Sequence, residues 1–418
     1  MHVQNGALRQ AHGVGMRALR SSLAIVSLLM AACPVLASKA SADDIDVCYL
    51  AQASLEDRLA ACTREIESGL RQGIDLAAVF LHRGTAYAAS RDADHALADY
   101  DEAIRLDPKS ILAFSNRGNL YLREGDIDRA IADYSEAIHI DPKATFALYN
   151  RGNAYASVRD YDRAIGDFTE AIGADPEFIV PRFARGSAYR AKGDLDNAIA
   201  DYTEAIRLAP DYAIAYYTRG VTYFAKGDLD RAIADYSESI RLNPASIDSY
   251  NNRGRAYVAK GDFDHAIADY GEVIRLDPKL TLAYDNRGLA YYAKRDLDRA
   301  VADFSRAIEL DPAYATAYNN RGNAYDDGGD HDRAIADYSA AIRLDAKNPE
   351  TYYNRGIAYA AKADLDRAIA DFNEAIRLDP QVAFAYLQRG LAKRAQGDAA
   401  GGDADIAKAK QLNPSLGR

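Results

Sequence analysis

Residues 149–155 read YNRGNAY, residues 319–325 read NNRGNAY and residues 353–359 read YNRGIAY. Arg-Gly begins at Arg83, Arg117, Arg151, Arg185, Arg219, Arg253, Arg287, Arg321, Arg355 and Arg389, and every step is 34 residues. One reactive loop does not recur ten times at one spacing, whereas a structural unit that stacks on its own copies does. The units run without insertion from 77 to 416. Length alone suggests two or three domains; the period overrides that and reads as one solenoid.

Numbered from its first residue, each unit carries Arg at repeat position 7 and Gly at 8. Position 11 is Tyr in nine units, Lys393 being the exception, and position 16 is Asp in all ten, from Asp92 to Asp398. Position 20 is Ala in nine, position 24 is aromatic in nine and position 32 is Pro in nine, with Ala346 the exception. Positions 3, 4, 7, 8, 10 and 11 share one face of a helix A, and 17, 20, 21, 24, 27 and 28 one face of a helix B. Gly at position 15, as in Gly125 and Gly193, suits a helix end, and the Asp after it suits a helix start. The Pro is expected to stop helix B. No strand-like alternation appears.

The pattern resembles the tetratricopeptide repeat: in unit 2, Gly118, Tyr121, Ala130, Tyr134, Ala137 and Pro142 stand where that family places such residues. The resemblance implies an all-α fold, a right-handed superhelical α-solenoid of antiparallel helix pairs. Two departures stand out. The family's usual Trp at position 4 is Phe80, Phe114, Leu148, Arg182 and then Tyr in the last six units, and its usual Leu at position 7 is always Arg. Position 23 is Asp in every unit, from Asp99 to Asp405. Ten Arg matched by ten Asp point to a ladder of interhelical ion pairs, for which a planar guanidinium is suited. The rival reading is an arginine comb for phosphate or nucleic acid.

Residues 1–37 hold Arg9, Arg17 and Arg20, no acid, and the apolar run LAIVSLLMAA at 23–32. This has the shape of a secretory signal peptide cut after Ala37, or after Ala42, with Met1 or Met16 as the start. A disordered tail is the alternative. MAAC at 30–33 also approximates a lipidation box, so membrane attachment is expected only through Cys33. Beyond Ala37, Cys48 and Cys62 remain, an even number that in an exported chain suggests a disulfide; two buried thiols are the alternative. Residues 38–76 then form a helical hairpin cap, with 54–66 resembling a helix B and 44–53 its partner. Unit 10, with Lys393, Gly402 and Ile406 at repeated positions, reads as the other cap.

The net charge of −11 becomes −14 when cleavage after Ala37 removes three Arg and no acid. Such a chain repels nucleic acid and anionic surfaces. No catalytic motif occurs, and the seven His are scattered, with His95 and His265 both at position 19. No metal, cofactor or enzymatic activity is expected. DDGGDHD at 326–332 lacks the acid spacing of a calcium loop and reads as an inter-helix turn.

In tetratricopeptide proteins, positions 2, 5, 6, 9, 12 and 13 face a concave groove. Position 6 here is Asn116, Asn150, Asn252, Asn286, Asn320 and Asn354, whose amides offer both donor and acceptor to a peptide backbone. They equally suit a scaffold role. Tyr149, Phe183 and Tyr217 add aromatic surface, while units 6–8 present Asp285, Asp326 and Asp327. A protein or peptide partner with an apolar anchor and a basic or polar continuation fits this groove. The expected function is a non-enzymatic scaffold or adaptor of the bacterial envelope, secreted or periplasmic. The alternative is an accessory to glycan or envelope-polymer assembly.

Overall fold

The computed structural model describes residues 44–417. The readings on the leader, on cleavage after Ala37 or Ala42 and on lipidation at Cys33 lie outside the described residues. Among the described residues there are twenty-two α-helices, one closing 3-10 turn at Pro414–Gly417 and no strand. The chain divides after Pro108 into two compact bodies.

The first body holds the hairpin Asp44–Tyr49 and Leu55–Ser68, followed by the first repeat, Gly73–Ala89 and Ala93–Leu106. The hairpin's first helix is shorter than the 44–53 anticipated, and helix A of the repeat begins at Gly73 rather than at 77. Cys48 and Cys62 are disulfide-bonded, with Cα atoms 4.9 Å apart, and pack with Ala61 and Val79 in a closed apolar cluster. Arg83 Nη1 donates to Thr63 Oγ1 at 3.2 Å, so the hairpin's second helix serves the first repeat as a preceding helix B.

The second body holds nine helix pairs, from Ile111–Glu124 with Ile127–Ile140 to Ala383–Ala395 with Ala399–Leu412. Each A helix from Thr145 onward packs between its own B helix and the preceding one. Each Asp at position 16, from Asp92 to Asp398, caps a helix B: Asp126, for instance, accepts from the Arg129 N–H at 3.1 Å. Its own N–H reaches back to the position-11 carbonyl, as Asp126 does to Tyr121 at 2.8 Å, closing a Schellman turn. That turn needs a left-handed residue at position 15. Six units supply Gly, and Arg91, Arg159, Arg295 and Ala363 adopt it at φ 60–67°.

The proline of position 32 is not required to end helix B. With Ala346 in its place, His331–Leu344 stops at the same point as its neighbours. A second device stands one residue earlier. Asp345 Oδ1 accepts from the Lys347 N–H at 3.0 Å, and Asp141, Asp175, Asn243, Asp277, Asp311, Asp379 and Asn413 make the same turn. In unit 4 position 31 is Ala209, and Leu195–Leu208 stops at the same point before Pro210, so either the side-chain turn or the proline suffices.

The core repeats with the sequence. Tyr or Phe at position 24 lies flat over the position-8 glycine of the same unit. A Cβ on Gly152 or Gly356 would sit 2.6 Å from the ring of Phe168 or Phe372. Glycine is required here by contact, since both rings are buried and cannot move aside.

Candidate partner-binding groove

The repeated arginines are committed to the scaffold. Among the described residues, each of the ten makes a bidentate pair with the position-23 Asp of its own helix B, Nε to Oδ2 and Nη2 to Oδ1, at 2.6–2.9 Å. The remaining Nη1 reaches position 25 of the preceding unit at 2.7–3.0 Å: Ser135, Thr169, Thr203, Ser237, Ser305, Ser339 and Asn373 accept from Arg151, Arg185, Arg219, Arg253, Arg321, Arg355 and Arg389. Several of these hydroxyls spend their proton on their own i−4 carbonyl, as Ser135 does on Ile131, which leaves oxygen lone pairs for the arginine. Arg287 faces Gly271, which offers no side chain. The position-25 hydroxyls escaped the sequence reading, although their recurrence 16 residues before the next Arg was visible.

Two further series recur along the units. Lys192, Lys226, Lys260, Lys294 and Lys362 pair with Asp162, Asp196, Asp230, Asp264 and Asp332 of the preceding unit. Position 19 returns to the cap: His95 Nδ1 lies 2.8 Å from Asp92 and its ring stacks on Tyr87, while His265 does the same with Asp262 and Tyr257. In the DDGGDHD turn Asp326 meets His331, Asp327 meets Tyr292 and Arg295, and Asp330 caps His331–Leu344.

On the A helices the asparagines of position 6 are half-buried and link neighbouring units. Asn252 Nδ2 donates to the Tyr217 hydroxyl at 2.9 Å, Asn286 to Asn251 at 3.2 Å and Asn320 to Asp285 at 2.9 Å. Asn150 donates to Asn119, and Asn354 to Asn323, both at 3.0 Å. Asn116, in the first repeat of the second body, is likewise half-buried. Tyr149 is buried, its ring against Phe168 and Phe178, so only its edge faces outward. Phe183 stands between Tyr202 and Tyr212, and Tyr217 packs on Tyr236. Around them Leu112, Phe146 and Ile214, all at position 2, are exposed.

Asp285 departs from a solvent-facing acid. It is 4% exposed and meets only neutral donors, Asn320 and the Tyr314 hydroxyl at 3.2 Å. Burial pushes its carboxyl up to about 6, against the pull of those two hydrogen bonds. A raised carboxyl contributes stability below the unfolded-state value near 4 that is lost as pH rises through 6. Asp285→Asn is therefore expected to stabilise at pH 8, by at most about 3 kcal/mol, and to be near neutral at pH 4. Urea melts at the two pH values test this; an equal gap at both would remove Asp285 as the cause.

Tetratricopeptide repeat models match residues 84–125, 118–158, 186–227, 220–259, 254–295, 290–329 and 322–363, and a second such model matches 146–178 and 349–382. The chain belongs to the tetratricopeptide repeat family. Repeats of this family are generally non-enzymatic scaffolds that bind protein or peptide partners. No curated protein matches the chain. Among solved structures, the C-terminal part of a tetratricopeptide protein from Cytophaga hutchinsonii is 19% identical, covers 57% of this chain and 98% of its own, and superposes with a TM-score of 0.52. MamA is 29% identical over 41% of this chain and 93% of its own, with a TM-score of 0.38. YrrB, described as having an unusual peptide-binding site, is 21% identical over 44% of this chain and 95% of its own, with a TM-score of 0.40. The first of these likenesses shows the tetratricopeptide fold and no more.

Proposed function

We propose that this tetratricopeptide protein is an exported, non-enzymatic scaffold that holds an extended polypeptide along its A helices. The observation that carries this is the asparagine series. Asn150, Asn252, Asn286 and Asn320 each give one amide N–H to a neighbouring unit. An amide has two N–H donors and a carbonyl acceptor, so chemistry suited to a peptide backbone is left over at successive units. The units stand roughly 10 Å apart, about three residues of extended chain. Exposed Leu112, Phe146 and Ile214 supply apolar anchorage beside them. Export, to the bacterial periplasm or with a lipid anchor at Cys33, is supported by the arginine-rich, acid-free leader and by the Cys48–Cys62 bridge, a bond that persists in oxidising compartments. Tyr217 beside Asn252 also suits a sugar ring, which keeps an envelope glycan as the second reading.

The test is capture from an envelope extract by wild type and by a variant with Asn252, Asn286, Asn320 and Asn354 changed to Ala, with melting curves run on both. Hydrogen exchange of the captured complex accompanies it. A protein partner that protects the A helices and is lost from the folded variant supports the reading. Unchanged capture, or protection confined to B helices, overturns it, and capture of polysaccharide alone favours the second reading.

A further inference from the structure

We infer that the seam between units 7 and 8 is a pH-sensitive joint, closed while the carboxyl of Asp285 carries its proton and opening to water when the proton leaves. Through units 5–9, position 6 of each unit donates to position 5 of the unit before it. Asn252 meets Tyr217, Asn286 meets Asn251, Asn320 meets Asp285 and Asn354 meets Asn319. Three of these rungs are neutral on both sides. The rung between units 7 and 8 ends on a carboxyl.

Asp285 is also the exception among the buried acids. Among the described residues, Glu65 is buried beside Arg71, and the ten position-23 aspartates are buried beside their ladder arginines. Asp285 is as deeply buried and has no cation. Its oxygens take the Tyr314 hydroxyl and Asn320, the first from the N-cap and the second from the body of the next A helix, Ala315–Asp327. The charged groups on its own helix and on those packed around it are committed elsewhere. Arg287 pairs with Asp303, Lys294 with Asp264, Arg306 with Glu309 and Arg321 with Asp337. In the preceding unit Arg253 holds Asp269, Arg275 holds Glu272 and Arg255 donates to Asn252. Across the seam Asp327 takes Tyr292 and Arg295, and Asp311 accepts from the Ala313 N–H. Neither these nor Asp248, in the first turn of the preceding A helix, acts on Asp285. Beside it Tyr284, Ala307, Ile308 and Ala317 close an apolar cluster with Tyr314.

Either state of the carboxyl can be hydrogen-bonded here. A tyrosine hydroxyl donates to a carboxylate or accepts from a carboxylic acid, and an amide turned over presents its carbonyl. The two states differ in charge. A neutral carboxyl suits a dry seam, whereas a carboxylate without a cation recovers free energy by reaching water. Burial holds the group at about 6 in the closed seam. In an opened seam it returns to its ordinary value near 4, so the open form gains as pH climbs from 4 to 6 and gains no more above that. The closed seam is therefore favoured at the acid end. Parting the two A helices breaks the Asn320 rung and interrupts the amide series. A polypeptide lying along that series is then held more firmly at acid pH, a consequence that rests on the groove reading above.

Amide hydrogen exchange of the purified protein at pH 4 and pH 7, corrected for the intrinsic rate at each pH, tests this against Asp285→Asn. Units 6 and 8 carry Asn251 and Asn319 at the same position, so the variant keeps a rung of the native kind and loses the charge. Wild type is expected to open more readily at pH 7 than at pH 4 in Thr281–Ala293 and Ala315–Asp327, by up to about a hundredfold, the ratio set by a carboxyl at about 6 when closed and near 4 in water. The variant is expected to lose that excess. It leaves Asp326 paired with His331, so a response of that pair to pH appears in both proteins. An equal response to pH in the two proteins overturns the joint. A difference spread evenly over all repeats also overturns it, since Asp285 would then set overall stability and nothing local. The protein is measured without a ligand, so failure of the groove reading leaves this result standing, and failure here leaves the groove reading intact.

Discussion

Arg253→Leu is expected to destabilise more than Arg253→Leu combined with Asp269→Asn. Asp269 is 3% exposed, and Arg253 holds both its oxygens, at 2.9 and 2.7 Å. Removing the arginine strands a carboxylate in the packed joint between two helices, which costs roughly 3–5 kcal/mol. Removing the charge as well leaves a neutral amide and an apolar side chain, a much smaller loss. The pH adds a second signature. Burial already raises the Asp269 carboxyl, with Arg253 opposing it. Without Arg253 that opposition is gone and the carboxyl rises further, so the single variant should regain stability as pH falls through the new value. The double variant should show no such recovery. Equal melting points for the two variants at pH 8 would show that the pair adds nothing beyond packing.

The second large effect is expected at the N-terminal hairpin. The loop closed by Cys48–Cys62 spans 14 residues, and opening a loop of that size costs about 3 kcal/mol. Much of the hairpin's apolar contact is gathered around those sulfurs and Val79. Cys48→Ala with Cys62→Ala should therefore speed amide exchange across Asp44–Ser68 by about a hundredfold, a figure of the order of that energy. Reduction of the wild-type protein should do the same, while exchange in the second body is unchanged. If hairpin exchange is indifferent to reductant, the bridge is not what orders it.

Much of this fold was legible because the repeat is a sequence property before it is a structural one. The 34-residue step, the aspartate caps and the Arg–Asp match follow from residue identity at fixed spacing, and the structure places each of them as read. The helix stop was half read: proline is conspicuous, whereas the aspartate before it acts through a side-chain mimic of backbone, and units 4 and 8 each manage with one of the two. The groove was only partly legible. The family resemblance puts Asn252 and Asp285 on the groove face, but whether a group there is spent on a neighbour or left to solvent depends on the next unit. Asp285 is the sharpest case: its burial comes from Tyr314 and Asn320, 29 and 35 residues away.

The arginine stitch at each seam also sets how failure spreads. An array of repeats melts as a row of coupled switches, and the boundary between folded and melted segments rests where adjoining switches are least coupled. At the sixth seam Gly271 leaves Arg287 without the hydroxyl that its counterparts grip. A front advancing from either end should therefore halt there, so that the second body comes apart in two pieces of unequal length.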